Sequence, residues 1–124
     1  MAKGFGFNKL IFNDKVTWSS GAGQDTPKDI DIPLPDDLQK DGEYQVYIDN
    51  PSSESALTVQ PQVKWIDVDG NIRYSNLATY SVAQDEDLAK VIKGILMGQG
   101  GRLHITNDNA INTDTTVYIQ VRKI

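Results

Sequence analysis

The sequence predicts an all-β protein, an antiparallel β-sandwich or jelly roll of about seven to eight strands. Three observations carry this. Apolar and polar residues alternate with period two through most of the chain, as strands do when one face is buried and the other wet. Val, Ile, Thr and Tyr are concentrated in those alternating runs, the residues that suit a pleated, half-buried surface. Asn-Pro, Asp-Gly and glycine-rich breaks interrupt the runs at short intervals.

In chain order, "KLIFN", "KVTWSS" and "DIDIPLP" are short strand candidates. "EYQVYIDN" places Tyr44, Val46 and Ile48 on one face and Gln45, Tyr47 and Asp49 on the other. The turn Asn50-Pro51-Ser52-Ser53 leads into "ALTVQPQVKWIDV". "NIRYSNLATYSV" alternates again, with Ile72, Tyr74, Tyr80 and Val82 as its apolar positions. "GRLHITN" puts Leu103 and Ile105 on one side, and "TTVYIQVRKI" sets Val117, Ile119 and Val121 against Tyr118, Gln120 and Arg122. Residues 85–97 are ambiguous. Leu88, Val91, Ile92, Ile95 and Leu96 form a helical stripe that predicts a short helix, while the surrounding strands favour another strand.

The organisation is one domain: residues 1–14 as an N-terminal arm or edge strand, and 15–124 as a single β-sandwich. Apolar residues make up 39% of the 124, enough for a modest core. No apolar run reaches the ~18 residues that a membrane-spanning helix needs. The opening "MAKGFGFNKLIFNDK" does not read as a signal peptide. With no cysteine, disulfides and thiolate metal sites are excluded, and folding in a cytoplasm is expected. A net charge of −5 argues against nucleic acid as a partner. That charge is uneven: Asp25, Asp29, Asp31, Asp36, Asp37, Asp41 and Glu43 face only Lys28 and Lys40 in their segment, while both ends are basic.

Catalytic material is sparse. His104 is the sole histidine, on a strand face opposite Leu103 and Ile105, and no local motif supplies a nucleophile or an orienting acid. No catalytic, cofactor-binding or metal-ligating residue is assigned. "WIDVDGNIRY" looks like the start of a calcium loop, but counting from Asp67 the sixth residue is Ile72 and the twelfth Ala78, where an EF-hand needs Gly and Glu. The stretch instead predicts a hairpin, with Asp69-Gly70 supplying a type I′ or bulged turn and Asp67 and Asn71 solvated at the strand ends.

The aromatic residues are the candidates for binding. Tyr47 and Tyr118 each lie on the face opposite their strand's aliphatic stripe, so both rings are expected to point outward. Trp18 is a further candidate interface residue.

From residue 44 onward, "YIDNPSSESALTV", "VDGNIRYSNLATYSV", "GGRLHITND" and "TVYIQVRKI" together resemble the small β-sandwich head decoration or cement proteins of tailed bacteriophages. The first 43 residues have no counterpart in that comparison. The resemblance implies a non-enzymatic virion structural protein on the capsid surface, made in the host cytoplasm. It implies trimers that bridge the major capsid protein or other virion proteins, with neither nucleic acid nor membrane as partner. It also implies an arm reaching a neighbouring subunit, here with Phe5, Phe7, Leu10 and Phe12, and a strand at 89–97. Two alternatives stay open. One is a carbohydrate-binding or adhesion module, which calls for a coplanar pair of exposed aromatics and allows a structural calcium. The other is a small hydrolase, which calls for two carboxylates across a cleft.

Overall fold

The computed structural model describes residues 9–33, 43–93 and 99–123. Its strands are β1 (Lys9–Trp18), β2 (Pro27–Ile32), β3 (Tyr44–Asn50), β4 (Leu57–Ile66), β5 (Ile72–Asn76), β6 (Tyr80–Val82), β7 (Glu86–Ile92), β8 (Gly101–Asn107) and β9 (Thr115–Lys123). The described residues contain no helix. One sheet runs β1-β9-β3-β7; the other runs β2-β8-β4-β5, with β6 also against β4. Every pair is antiparallel. The all-β sandwich expected from the alternation is therefore what forms, with nine strands among the described residues rather than seven or eight.

The core lies between the sheets and is built from the inward half of each alternation. Tyr44, Val46 and Ile48 of β3 and Val117, Ile119 and Val121 of β9 line one wall; Leu57, Val59 and Val63 of β4 and Leu103 and Ile105 of β8 line the other. Burying such side chains contributes about 1.5–3 kcal/mol each, before the opposing loss of chain entropy. Pro61 lies inside β4 because β4 changes neighbour there: 57–59 pair with β6 and 62–66 with β5, so that edge needs no donor from Pro61.

The 85–97 segment resolves as a strand over Glu86–Ile92, not a helix. Residues i and i+4 share a side in both conformations, so Leu88 and Ile92 fit either; Val91 decides, and it is exposed. "KLIFN" and "KVTWSS" join into the single edge strand β1, continuous across residue 14. Residues 1–8, the rest of the expected arm, lie outside the described residues.

Two buried asparagines seal one end. Asn107 accepts from the Thr26 N–H at 2.7 Å and donates to the carbonyls of Gly23 and Asn109 at 2.9 and 2.8 Å. Asn50 donates to the Ser55 carbonyl at 2.9 Å and accepts from the Ser52 N–H at 3.3 Å. No buried side-chain nitrogen or oxygen among the described residues is left without a partner, which is the condition for tolerating polar groups in a core.

The hairpin expected at 65–74 forms. Gly70 N–H donates to the Asp67 carbonyl at 3.0 Å and Asp67 N–H to the Asn71 carbonyl at 2.9 Å. Gly70 alone in this turn has positive φ, +85°, so the turn is the bulged alternative. Asp67 is not merely solvated, as the sequence suggested. Its Oδ1 accepts from the N–H groups of Asp69 and Asn71 at 3.0 and 2.9 Å, and its Oδ2 pairs with Arg73 Nε at 3.0 Å. The hydrogen bond from the Asn71 backbone, with help from Arg73, holds its carboxyl below the usual carboxylate range.

Candidate ligand-binding face

Alternation turns Gln45, Tyr47 and Asp49 of β3 to the outside of the four-stranded sheet, together with Tyr118, Gln120 and Arg122 of β9. Register then sets which of them meet. Tyr47 stands opposite Gln120, Asp49 opposite Tyr118 and Gln45 opposite Arg122. The diagonal brings Tyr47 and Tyr118 together, with ring centroids 6.2 Å apart and planes at 61°. That is an edge-to-face pair, not the coplanar pair called for by the carbohydrate alternative.

Polar side chains fix both rings. Tyr47 Oη donates to Asp87 Oδ2 of β7 at 3.2 Å. Tyr118 Oη donates to Asn13 Oδ1 of β1. Gln120 Nε2 donates to Tyr118 Oη at 2.8 Å, and Gln120 Oε1 accepts from Arg122 Nε at 2.8 Å. The Tyr47 hydroxyl is pushed above its ordinary pKa, first by desolvation, then by its bond to Asp87 and the nearby charges of Asp49 and Asp87. It therefore stays protonated and acts as a donor.

Ala89 of β7 lies opposite Tyr47. Its short side chain contributes to an open depression of about 290 Å³, walled by Gln45, Tyr47, Val91, Gln120 and Arg122, at the small end of the range for ligand sites. A second depression, of about 420 Å³, lies between the 51–54 and 113–116 segments and is lined by Ser, Thr, Pro and acidic residues. It has no aromatic wall, and Glu54 Oε1 already accepts from Asn112 and Thr113 N–H groups.

The other proposed interface residues fare differently. Trp18 is fully buried in the core and donates its indole N–H to the Thr26 carbonyl at 2.8 Å; it cannot be an interface residue, because β1's inward face carries it under the opposing sheet. Leu10 is 42% exposed at the edge of the tyrosine face. Phe12 shares the parity of Val16 and Trp18 and packs against the core instead of standing outward; the register shift between Leu10 and Phe12 is what turns Leu10 to the other face. Phe5 and Phe7 lie outside the described residues. Asn13, Asp87 and Gln120 were missed, because only the pairing of distant strands makes them neighbours of the tyrosines. Among the described residues no three His, Cys, Asp or Glu side chains gather as a metal site.

No family model matches the chain, and no curated protein does. Solved structures share its architecture. PirA superposes with a TM-score of 0.55 at 15% identity, covering 89% of this chain and 93% of PirA. The C-terminal family 22 carbohydrate-binding module of Clostridium thermocellum Xyn10B gives 0.53 at 12% identity, covering 95% of this chain and 84% of the module. At such identities the likeness is one of fold.

Proposed function

We propose that this chain is a non-catalytic carbohydrate-binding or adhesion module, with the outer face of the four-stranded sheet as its binding surface. The observation that carries the reading is the Tyr47 ring beside an open depression, held by Asp87 and braced edge-to-face by Tyr118; it calls for a sugar on one ring, in place of the coplanar pair first expected. A sugar ring has an apolar C–H face and a rim of hydroxyls. Tyr47 offers the ring surface, and amide, guanidinium and carboxylate groups surround it, matching both requirements. The Clostridium module of like fold binds its ligand in a cleft, and that fits the same reading.

The test is a glycan array followed by calorimetry on the hits. Binding is expected, and Tyr47→Ala is expected to weaken it at least about tenfold, a loss of about 1.4 kcal/mol, with the far-UV spectrum unchanged. An array without hits, or hits indifferent to Tyr47→Ala, removes the reading.

A second reading, trimeric decoration of a virion shell, is favoured by a different feature. Trp65, Ile66, Val68 and Ile72 are exposed together on the β4–β5 hairpin, and sugars do not call for such a surface, whereas proteins do. Particles lacking the protein should then take it up, and light scattering should return a trimer. A monomer that leaves such particles bare ends that reading.

A further inference from the structure

The outer face of the five-stranded sheet carries a second organised cluster, built from four strands. Asn76 of β5, Gln62 of β4, Arg102 and His104 of β8 and Asp29 of β2 are joined side chain to side chain. Gln62 Nε2 donates to Asn76 Oδ1 at 2.8 Å, and Gln62 Oε1 accepts from Arg102 Nε at 2.6 Å. Arg102 Nη1 reaches Asp29 Oδ2 at 3.5 Å, and His104 Nδ1 lies 2.6 Å from Asp29 Oδ1. The guanidinium lies over the Tyr74 ring, 3.6 Å from its centroid, a flat stack that holds it against the sheet.

Two elementary facts give the cluster a polarity. An ionised carboxylate only accepts, so the proton between Asp29 and His104 resides on Nδ1. A neutral imidazole with Nδ1–H presents Nε2 as an acceptor, and no described residue bonds to it. Arg102 can only donate. The two residues stand on the same face of β8, two positions apart and so about 7 Å along the strand. The face therefore offers a fixed donor and a fixed acceptor side by side. A pyranose ring has hydroxyls that accept at one position and donate at another. An anion would meet the Nε2 lone pair and the charge of Asp29. Surface ion pairs contribute little stability, about 0–1 kcal/mol, so folding alone gives weak reason to organise five polar side chains this way.

We propose that this face is a second carbohydrate site, for a neutral sugar whose hydroxyls bridge Arg102 and His104 Nε2. It is independent of the tyrosine face and lies on the opposite sheet, so the module is bivalent. Among the described residues the charged groups sharing the face are Asp29 and Asp31 of β2, Arg102 of β8, Lys64 of β4 and, bonded to Thr58 of β4, Asp108; Gln60, the β4 neighbour of His104, is uncharged. Protonating His104 turns its acceptor into a donor, so a hydroxyl seated there must reverse its hydrogen bond, and neutral sugar should bind the imidazolium more weakly than the neutral imidazole.

His104 is the chain's only histidine, so its imidazole carbon–proton signals report this face alone. They are followed on the full chain during titration with gluco-, xylo- and mannohexaose, and with oligogalacturonate as the anionic counterpart. At least one neutral hexaose should shift them saturably. The shift should persist in Tyr47→Ala, weaken at least about tenfold in Arg102→Gln, and weaken on acidification once the same signals show protonation. The pH arm needs no variant and so stands if Arg102→Gln does not fold. If no neutral hexaose moves the signals, if the shift disappears in Tyr47→Ala, or if only oligogalacturonate binds, the proposal is overturned. Failure of the tyrosine face reads differently: binding would then be insensitive to Tyr47→Ala while these signals still move.

Discussion

Trp18 and Trp65, the chain's two tryptophans, separate a packed body from a projecting hairpin. Each lies at or near the C-terminal end of a ten-residue strand. Each indole N–H is bonded, to the Thr26 carbonyl at 2.8 Å and to Ser75 Oγ at 3.0 Å. Yet Trp18 is fully buried and Trp65 is 41% exposed. The difference lies in what stands across from them. β4 pairs with β8 only as far as Val63; beyond that its one strand partner among the described residues is β5, while Gln99 and Gly100, ahead of β8, bond to Lys64 and Ile66 along the other edge. Its inward stripe of Leu57, Val59 and Val63 continues to Trp65, which has outrun the sandwich. Strand length relative to the neighbouring strands, more than hydropathy, decides which tryptophan is core.

The strongest way to break this division is to remove each ring. Trp18→Ala should destabilise the protein by about 3–5 kcal/mol, the usual consequence of emptying a large buried site. Trp65→Ala should lose only about 1 kcal/mol, because much of its surface is already wet. Urea denaturation monitored by far-UV circular dichroism gives both values; equal losses would mean that the hairpin packs as firmly as the body.

Much of the body was legible. The parity of β3, β8 and β9 gives their core residues directly, because one face of each is buried and the period is two. The same parity puts Tyr47 and Tyr118 outside. It does not put them together; that needs β3 beside β9, and pairing of distant strands leaves no local mark. Nor could Asp29 be matched to His104 without the β2–β8 register. Trp18 shares a parity with Val16, a signal for burial that was available and not used. Phe12 shares that parity too and faces the core with them; the register shift reverses parity only beyond it, at Leu10, without announcing itself in the residues. The hairpin was legible as a turn, but the role of Asp67 was not: its side chain replaces backbone partners, a geometric fact beyond the Asp-Gly signature.

A smaller effect probes the turn. Gly70 adopts φ +85°, and a Cβ there meets nothing within 4 Å. The Cβ of Gly70→Val therefore meets no clash, and the expected penalty is that of a β-branched residue at positive φ, about 1–2 kcal/mol. Asp69→Ala, in an exposed position with ordinary φ, should stay within about 0.5 kcal/mol. Urea midpoints compare the two. If both variants lose the same amount, the positive φ is not what shapes the tip.

The gentlest perturbation is acid. Asp67 has its carboxyl held below the usual range by the Asn71 N–H first and Arg73 next. A group with a depressed folded pKa contributes stability that is present above its unfolded pKa and lost as pH falls through the folded value. Its contribution should therefore survive through the ordinary carboxylate range, near pH 4, and disappear only at lower pH. The backbone amide signals of Asp69 and Asn71, which Asp67 Oδ1 accepts from, should stay fixed down to that range and then move together. In Asp67→Asn that acid-driven movement should be gone at every pH. Signals from Val117 and Ile119, deep in the body, should not follow the same curve. A shared curve would mean that acid opens the body and hairpin as one unit. Amides of 69 and 71 titrating at or above the ordinary carboxylate value would mean that the Asn71 bond does not bias Asp67 toward its charged form.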